Sequence, residues 1–308
     1  MSAFSIVQKA DKVSDFTISK LPKNNRQFYK VLHDIADRAT PAVRREFLRA
    51  LESIKGSAKI KDLQIALEMG DSSRVFTALG MNKLNVELAA MVTTLREAYN
   101  NAAIAAGKVL PKEVQIGYRF DMFNPRAVDY AQRKSAELVT RIGQTTREGI
   151  QAIITEGVEA GLTVTQQATR IKELVGLLPR QVRALDTYKS MLIAEGRKPA
   201  QVKSMTERYQ QRLLRARATM IARTETINAV NAGQEEAWAQ AMDEGLIKPG
   251  TMKKWIVTPD DLLCPVCSAI PKMNPDGVPV GSMFDTPKGP KMGPTAHPHC
   301  RCGTALMI

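Results

Sequence analysis

The sequence predicts a mainly α-helical protein, a helical body followed by an extended C-terminal arm rich in proline and glycine that contains a few short strands. Three observations carry this. Helical periodicity with clear start signals recurs from Asn24 to about Glu244. Proline and glycine then crowd the chain from Pro249 to Pro298, too densely for long helices. Only 5% of residues are aromatic, while Ala, Leu, Ile, Met and Val are plentiful, a mix that favours helices over an all-β sandwich.

The chain of 308 residues has room for roughly two domains. Its 44% hydrophobic content excludes wholesale disorder. The net charge of +13 implies an anionic neighbour, nucleic acid first and an acidic protein surface second. No apolar run approaches the roughly 20 residues that span a bilayer, so no membrane is expected as a partner. Met1-Ser2-Ala3-Phe4-Ser5 lacks a basic stretch leading into an apolar one, so a secretory signal is not expected and the cytosol is the default origin. Cysteines in that reducing setting are not expected to form structural disulfides.

The elements follow in order. Asn24 to Arg38 carries Phe28, Val31, Leu32 and Ile35 at helical spacing. Thr40-Pro41 reads as an N-cap followed by proline at the first helical position, starting a helix to about Lys55 with Val43, Phe47, Leu48 and Leu51 on one stripe. Asp71 caps a short helix ending at Gly80. A long Ala-rich helix from Leu84 to Ala106 presents Leu88, Met91, Leu95 and Tyr99. Val109 to Phe123 fits no helical period and reads as a linker. Asn124-Pro125 opens a helix to about Glu159, with Val128, Leu138, Val139, Ile142, Ile150 and Ile154 on its buried side and bends allowed at Gly143 and Gly149. Thr163, Leu178-Pro179 and Lys198-Pro199 start three more, the last reaching about Glu244. Lys254 to Thr258 is a plausible strand. Three segments result: 1–124, a helical partner-binding region; 125–248, a helical body; and 249–308, the arm.

The arm has little core of its own and needs a staple. Its cysteines supply one: Cys264-Pro265-Val266-Cys267, then Cys300-Arg301-Cys302. A C-x-x-C turn points two thiolates at one tetrahedral ion and a second pair closes the shell, which predicts structural zinc held by Cys264, Cys267, Cys300 and Cys302. The tight C-x-C spacing allows His297 or His299 to replace one of them, with His297 as the first alternative ligand. A catalytic zinc needs an open position and a base; Asp260 and Asp261 are close in sequence, but an exposed turn explains them equally well.

Ala222-Arg223-Thr224-Glu225-Thr226-Ile227-Asn228 lies inside a helix. Arg223 and Glu225, two apart, do not face each other there, so each meets something elsewhere. A polar network of Arg223, Glu225 and Asn228 that locks the arm onto the helices is favoured over a substrate-binding arginine with a catalytic glutamate. No nucleophile, phosphate loop or paired base accompanies these residues. Arg208, Arg212 and Arg215 form one helical stripe suited to phosphate, with Arg133, Lys134, Arg141 and Arg147 as a looser set.

Taken in order, Ala222-Arg223-Thr224-Glu225-Thr226, Asn228 through Gly233, Trp255, Cys264-Pro265-Val266-Cys267, Phe284 and His297-Pro298-His299-Cys300-Arg301-Cys302 resemble the Mu F-like minor head proteins of tailed phages, over roughly residues 125–308. The resemblance implies a structural virion or procapsid component without enzymatic activity. It implies association with the portal or major capsid protein, a place in the capsid interior or at the portal vertex after synthesis in the host cytoplasm, and a role in head assembly and DNA delivery. Packaged DNA is a further, non-specific partner compatible with the charge. The competing classes are a zinc-containing DNA-binding protein and an enzyme acting on an anionic substrate through Arg223 and Glu225.

Overall fold

The computed structural model describes residues 23–258 and 263–307; Met1 to Ser5 and the pair Asp260 and Asp261 lie outside them. The chain is mainly helical. Helices α1 (Lys23–Ser57), α2 (Ile60–Glu68), α3 (Ser72–Ala78), α4 (Leu84–Glu87), α5 (Ala89–Ala106) and α6 (Lys112–Gln115) precede four more, α7 (Pro125–Glu159), α8 (Val164–Leu174), α9 (Pro179–Ala194) and α10 (Pro199–Asp243). The arm supplies β1 (Met252–Ile256), α11 (Pro265–Met273), β2 (Val278–Pro279) and β3 (Gly303–Met307).

Most start signals act as expected. The Asp71 carboxylate accepts the Ser73 and Arg74 amides at the head of α3, and Asn124 accepts the Arg126 amide at the head of α7. Thr163 forms a reciprocal capping box with Gln166 before α8. Pro179 and Pro199 open α9 and α10. Thr40-Pro41 does not start a helix: α1 runs through Pro41 unbroken. The missing N–H and the ring clash cost about 3 kcal/mol. Buried side chains on both sides, Phe28, Leu32 and Ala36 before and Val43, Phe47 and Leu51 after, reward the continuous helix. The expected 84–106 helix is instead interrupted at Leu88, between α4 and α5. Val31 and Val128 are exposed, and Ile153 is the fully buried neighbour of the half-buried Ile154. α7 passes Gly143 and Gly149 without ending.

Two compact units are interleaved along the chain rather than following the segments 1–124, 125–248 and 249–308. Among the described residues, one combines the chain up to Ala39 with Leu95–Ala127 and the part from Arg223 on; the other combines Thr40–Thr94 with Val128–Ala222.

The second unit is all helix. Leu63 and Ala66 of α2, Leu138, Ile142, Ile150 and Ile153 of α7, and Ile171 and Val182 of α8 and α9 are buried in it. At its centre lies Arg217, almost wholly buried. The hydroxyls of Thr145 and Thr146 donate to the helix carbonyls of Arg141 and Ile142. Their oxygen lone pairs stay free to accept from Arg217 Nη2, at 2.8 and 3.1 Å. Arg217 Nη1 donates to the Gly176 carbonyl, and the guanidinium lies 5.6 Å from the centroid of the Phe47 ring.

The first unit surrounds a core of Phe28, Leu32 and Ala36 from α1, Ala98, Ala102 and Ala106 from α5, Val230, Trp238 and Ala241 from α10, and Leu306 from β3. Val109 to Phe123 is ordered here rather than serving as a plain linker: Tyr118 is buried and its hydroxyl donates to the Ala237 carbonyl at 2.9 Å. On α10, Gly233 faces α5 so closely that a Cβ would stand 2.1 Å from the Tyr99 carbonyl oxygen. The arm forms a three-stranded antiparallel sheet in the order β2-β1-β3, pairing Met252 with Met307 and Ile256 with Gly303. The strand therefore begins two residues before the expected Lys254. The arm also owns a small core of Trp255, Val257, Ile270, Phe284 and the cysteines, more than its composition suggests.

Candidate metal centre

The C-x-x-C turn is built by a helix start. Cys264 is the N-cap of α11, Pro265 takes the first helical position, and the Cys264 sulfur accepts the Cys267 amide at 3.3 Å. One turn of α11 thus points Cys264 and Cys267 to the same side. From the other end of the arm, the Cys300 amide donates to the His297 carbonyl at 3.2 Å, and His299 takes a left-handed backbone conformation.

These turns bring five of the six sequence-predicted donors together as two triads that share Cys267, and His299 belongs to neither. One is Cys264, Cys267 and His297; the other is Cys267, Cys300 and Cys302. His297 Nε2 lies 3.0 Å from both Cys264 Sγ and Cys267 Sγ, and Cys267 Sγ lies 3.6 Å from Cys300 Sγ. With metal–sulfur bonds of about 2.3 Å, the edge of a tetrahedral thiolate shell is about 3.8 Å. The Cys267–Cys300 separation is close to that edge, and the two imidazole contacts have hydrogen-bond length. Four thiols and one imidazole, three of the thiols buried, form a soft N/S donor set that fits zinc. Hydrogen bonds from Cys267 and Cys302 hold the Cys300 thiol far down, to about 2, against the effect of burial. The same sharing pushes Cys267 up.

A second shell holds the cysteine turns. The Tyr29 hydroxyl donates to the Arg301 carbonyl at 2.7 Å and the Thr258 hydroxyl donates to the same oxygen at 2.9 Å. Asn228 Oδ1 accepts both the amide and the hydroxyl of Thr295, at 3.0 and 2.8 Å, while its Nδ2 donates to Glu225 at 3.3 Å. Thr224 accepts the His299 amide at 3.2 Å. Of the predicted polar residues, Asn228 touches the arm directly, Glu225 meets it through Asn228, and Arg223 is exposed near His299. Burial first, then Arg223 and His297, lowers the His299 pKa.

Sequence reasoning missed two buried cations. Lys253 is fully buried, donating to Glu235 at 2.6 Å and to the Met292 carbonyl at 2.8 Å. Strand alternation was the available signal, because Lys253 shares the face of Trp255 and Val257. Arg217 is the other. It stands beside the predicted stripe Arg208, Arg212 and Arg215, all of which are exposed in the second unit. Arg212 there lies 4.8 Å from the centroid of the Tyr209 ring.

Residues 148–305 match a protein family described as Phage Mu protein F like protein. No curated protein and no solved structure matches the chain. The matched span begins within α7 and reaches β3, so it includes Arg223, Asn228 and every candidate metal ligand.

Proposed function

The chain belongs to the Mu F-like family of phage head morphogenesis proteins, and from that premise we propose that it is a structural minor head protein. It attaches to the portal or the inner face of the major capsid of a tailed phage, acts in head assembly, and lies beside packaged DNA in the virion. The family match over more than half of the chain carries this reading. The charge of +13, without any base-reading motif, supports contact with phosphate that ignores sequence. We assign that contact to Arg208, Arg212 and Arg215, whose side chains share one exposed helix face. No helix among the described residues is long and apolar enough to cross a membrane.

We assign structural zinc to Cys264, Cys267, Cys300 and Cys302, with His297 as the alternative donor. Bound there, the ion would cross-link the α11 turn to the end of the arm. The protein residues do the rest. Asn228, Thr224, Thr258 and Tyr29 hold the backbone around the ligands, and Trp255, Ile270 and Phe284 keep water from them. The link from Glu225 through Asn228 to Thr295 of the arm supports a structural role for that end of the network.

The test is deletion of the gene from the phage that carries it, with imaging of the particles. Malformed or DNA-poor heads are the expected result. Normal heads, DNA content and infectivity, with the protein absent from wild-type virions and procapsids, would refute the assignment.

A further inference from the structure

We propose that Tyr29, far outside the matched span, is a positioning residue for the Cys300–Cys302 half of the metal centre. This inference rests on the zinc assignment above. Phe28, Leu32 and Ala36 anchor the first half of α1 in the core with Val230, Trp238 and Leu306. That anchorage delivers Tyr29, one residue along, to the cysteine turn. The ring is buried and lies tilted against His33, 4.4 Å between centroids. Its hydroxyl meets the carbonyl of Arg301, the residue that separates the two cysteines. The peptide plane joining Arg301 to Cys302 is therefore held from outside. That plane sets how the Cys302 sulfur stands relative to Cys300.

Three further observations point the same way. Thr258 donates to the same carbonyl oxygen, and the two hydroxyl oxygens stand 3.0 Å apart, so Arg301 is gripped by two donors. Gly303 leaves the room the ring occupies, because a Cβ there would stand 2.8 Å from Tyr29 Cε2. Tyr29 also shares a small buried cluster with Ile256 and Ala305, on the two strands next to the cysteine turn. Groups that orient ligands from the outer sphere typically change metal affinity by about 10–100-fold when removed.

The experiment uses the full chain loaded with zinc. Release to a chromogenic chelator is timed for the wild type, Tyr29→Phe, Thr258→Val and Tyr118→Phe. The last loses an equally buried hydroxyl, the one bonded to Ala237. Release about tenfold faster or more is expected for Tyr29→Phe, a smaller acceleration for Thr258→Val, and wild-type release for Tyr118→Phe. Thermal melting of the metal-free proteins should not separate Tyr29→Phe from Tyr118→Phe. Cobalt substituted for zinc should show the same thiolate charge-transfer intensity in Tyr29→Phe with an altered ligand-field band. A wild type that binds neither ion overturns the zinc assignment. A wild type that binds zinc, with Tyr29→Phe releasing it at the wild-type rate or no faster than Tyr118→Phe, overturns the role of Tyr29 alone. If Tyr29→Phe does not fold, Thr258→Val decides: unchanged release overturns the grip on Arg301.

Discussion

Lys253 and Glu235 form an ion pair of 2.6 Å in which the ammonium has no solvent-exposed surface. Glu235 Oε1 also accepts the Gly281 amide at 2.8 Å, so one carboxylate ties α10 to β1 and to the loop after β2. Breaking a buried pair from one side strands a charge, at about 3–5 kcal/mol. Glu235→Ala should show that loss in chemical denaturation. The double variant Lys253→Met, Glu235→Gln should recover part of it, since no charge is then left unmatched. A double variant as unstable as Glu235→Ala would show that packing, not charge, governs the site.

Arg217 is held by neutral acceptors, and burial pulls its pKa down to about 10. Arg217→Met removes the donors of Gly176, Thr145 and Thr146 together and should cost about 3 kcal/mol in urea denaturation. The exposed Arg215→Met should cost less than about 0.5 kcal/mol. Equal midpoints for the two variants would contradict this assignment.

Arg170 joins three helices of the second unit by pairing with Glu156 of α7 and Asp186 of α9. Burial, then the neighbouring Asp186, raises the Glu156 pKa to about 7. A carboxyl raised above its unfolded value binds its proton more tightly in the folded state. Its contribution is complete below the unfolded value and is lost as pH rises through about 7. The urea midpoint should therefore fall between about pH 5 and about pH 8, and Glu156→Gln should flatten that fall. A wild-type midpoint that rises over the same range would exclude the raised Glu156 pKa.

Cys267 belongs to both donor triads, so Cys267→Ser should abolish binding of about one zinc per chain. Parallel elemental analysis of His297→Ala and Cys302→Ser identifies the fourth ligand: the variant that keeps its zinc lacks nothing essential. Full zinc content in Cys267→Ser would sink the site.

If Arg208, Arg212 and Arg215 contact phosphate, reversing all three charges should weaken binding to a random-sequence duplex. The slope of log affinity against log salt should also become shallower, by about 0.9 for each phosphate that is no longer neutralised. An unchanged slope would remove the stripe from the DNA interface.

What the sequence made legible was local. Asp71, Asn124 and Thr163 mark helix starts through hydrogen bonds within three residues, Pro179 and Pro199 through a ring that fixes φ where no N–H is needed, and the switch at Gly245 is a change of composition. The clustering of four cysteines with His297 was legible because their spacing encodes their geometry. Pro41 misleads because its local cost is outweighed by burial that only tertiary structure supplies. Tyr29 was invisible for a related reason: its partner lies 272 residues away, and no short-range pattern links them. Arg217 looks in the sequence like its exposed neighbours, and only its acceptors distinguish it.

The interleaving of the two units also fixes an order of assembly. The first unit draws its α1 segment from the start of the chain and β3 from its end. On the ribosome that unit stays open until the last strand emerges. The other unit, which ends at Ala222, has all its parts long before. Pairings of such long sequence separation form slowly, because the chain entropy of closing the loop is given up before any pairing rewards it. Until β3 emerges, the core that includes Phe28, Leu32 and Trp238 lacks Leu306. Translation that stops short of β3 leaves an incomplete apolar surface at the opposite end of the sequence, on α1, and presents it to the aggregation and quality-control machinery of the host.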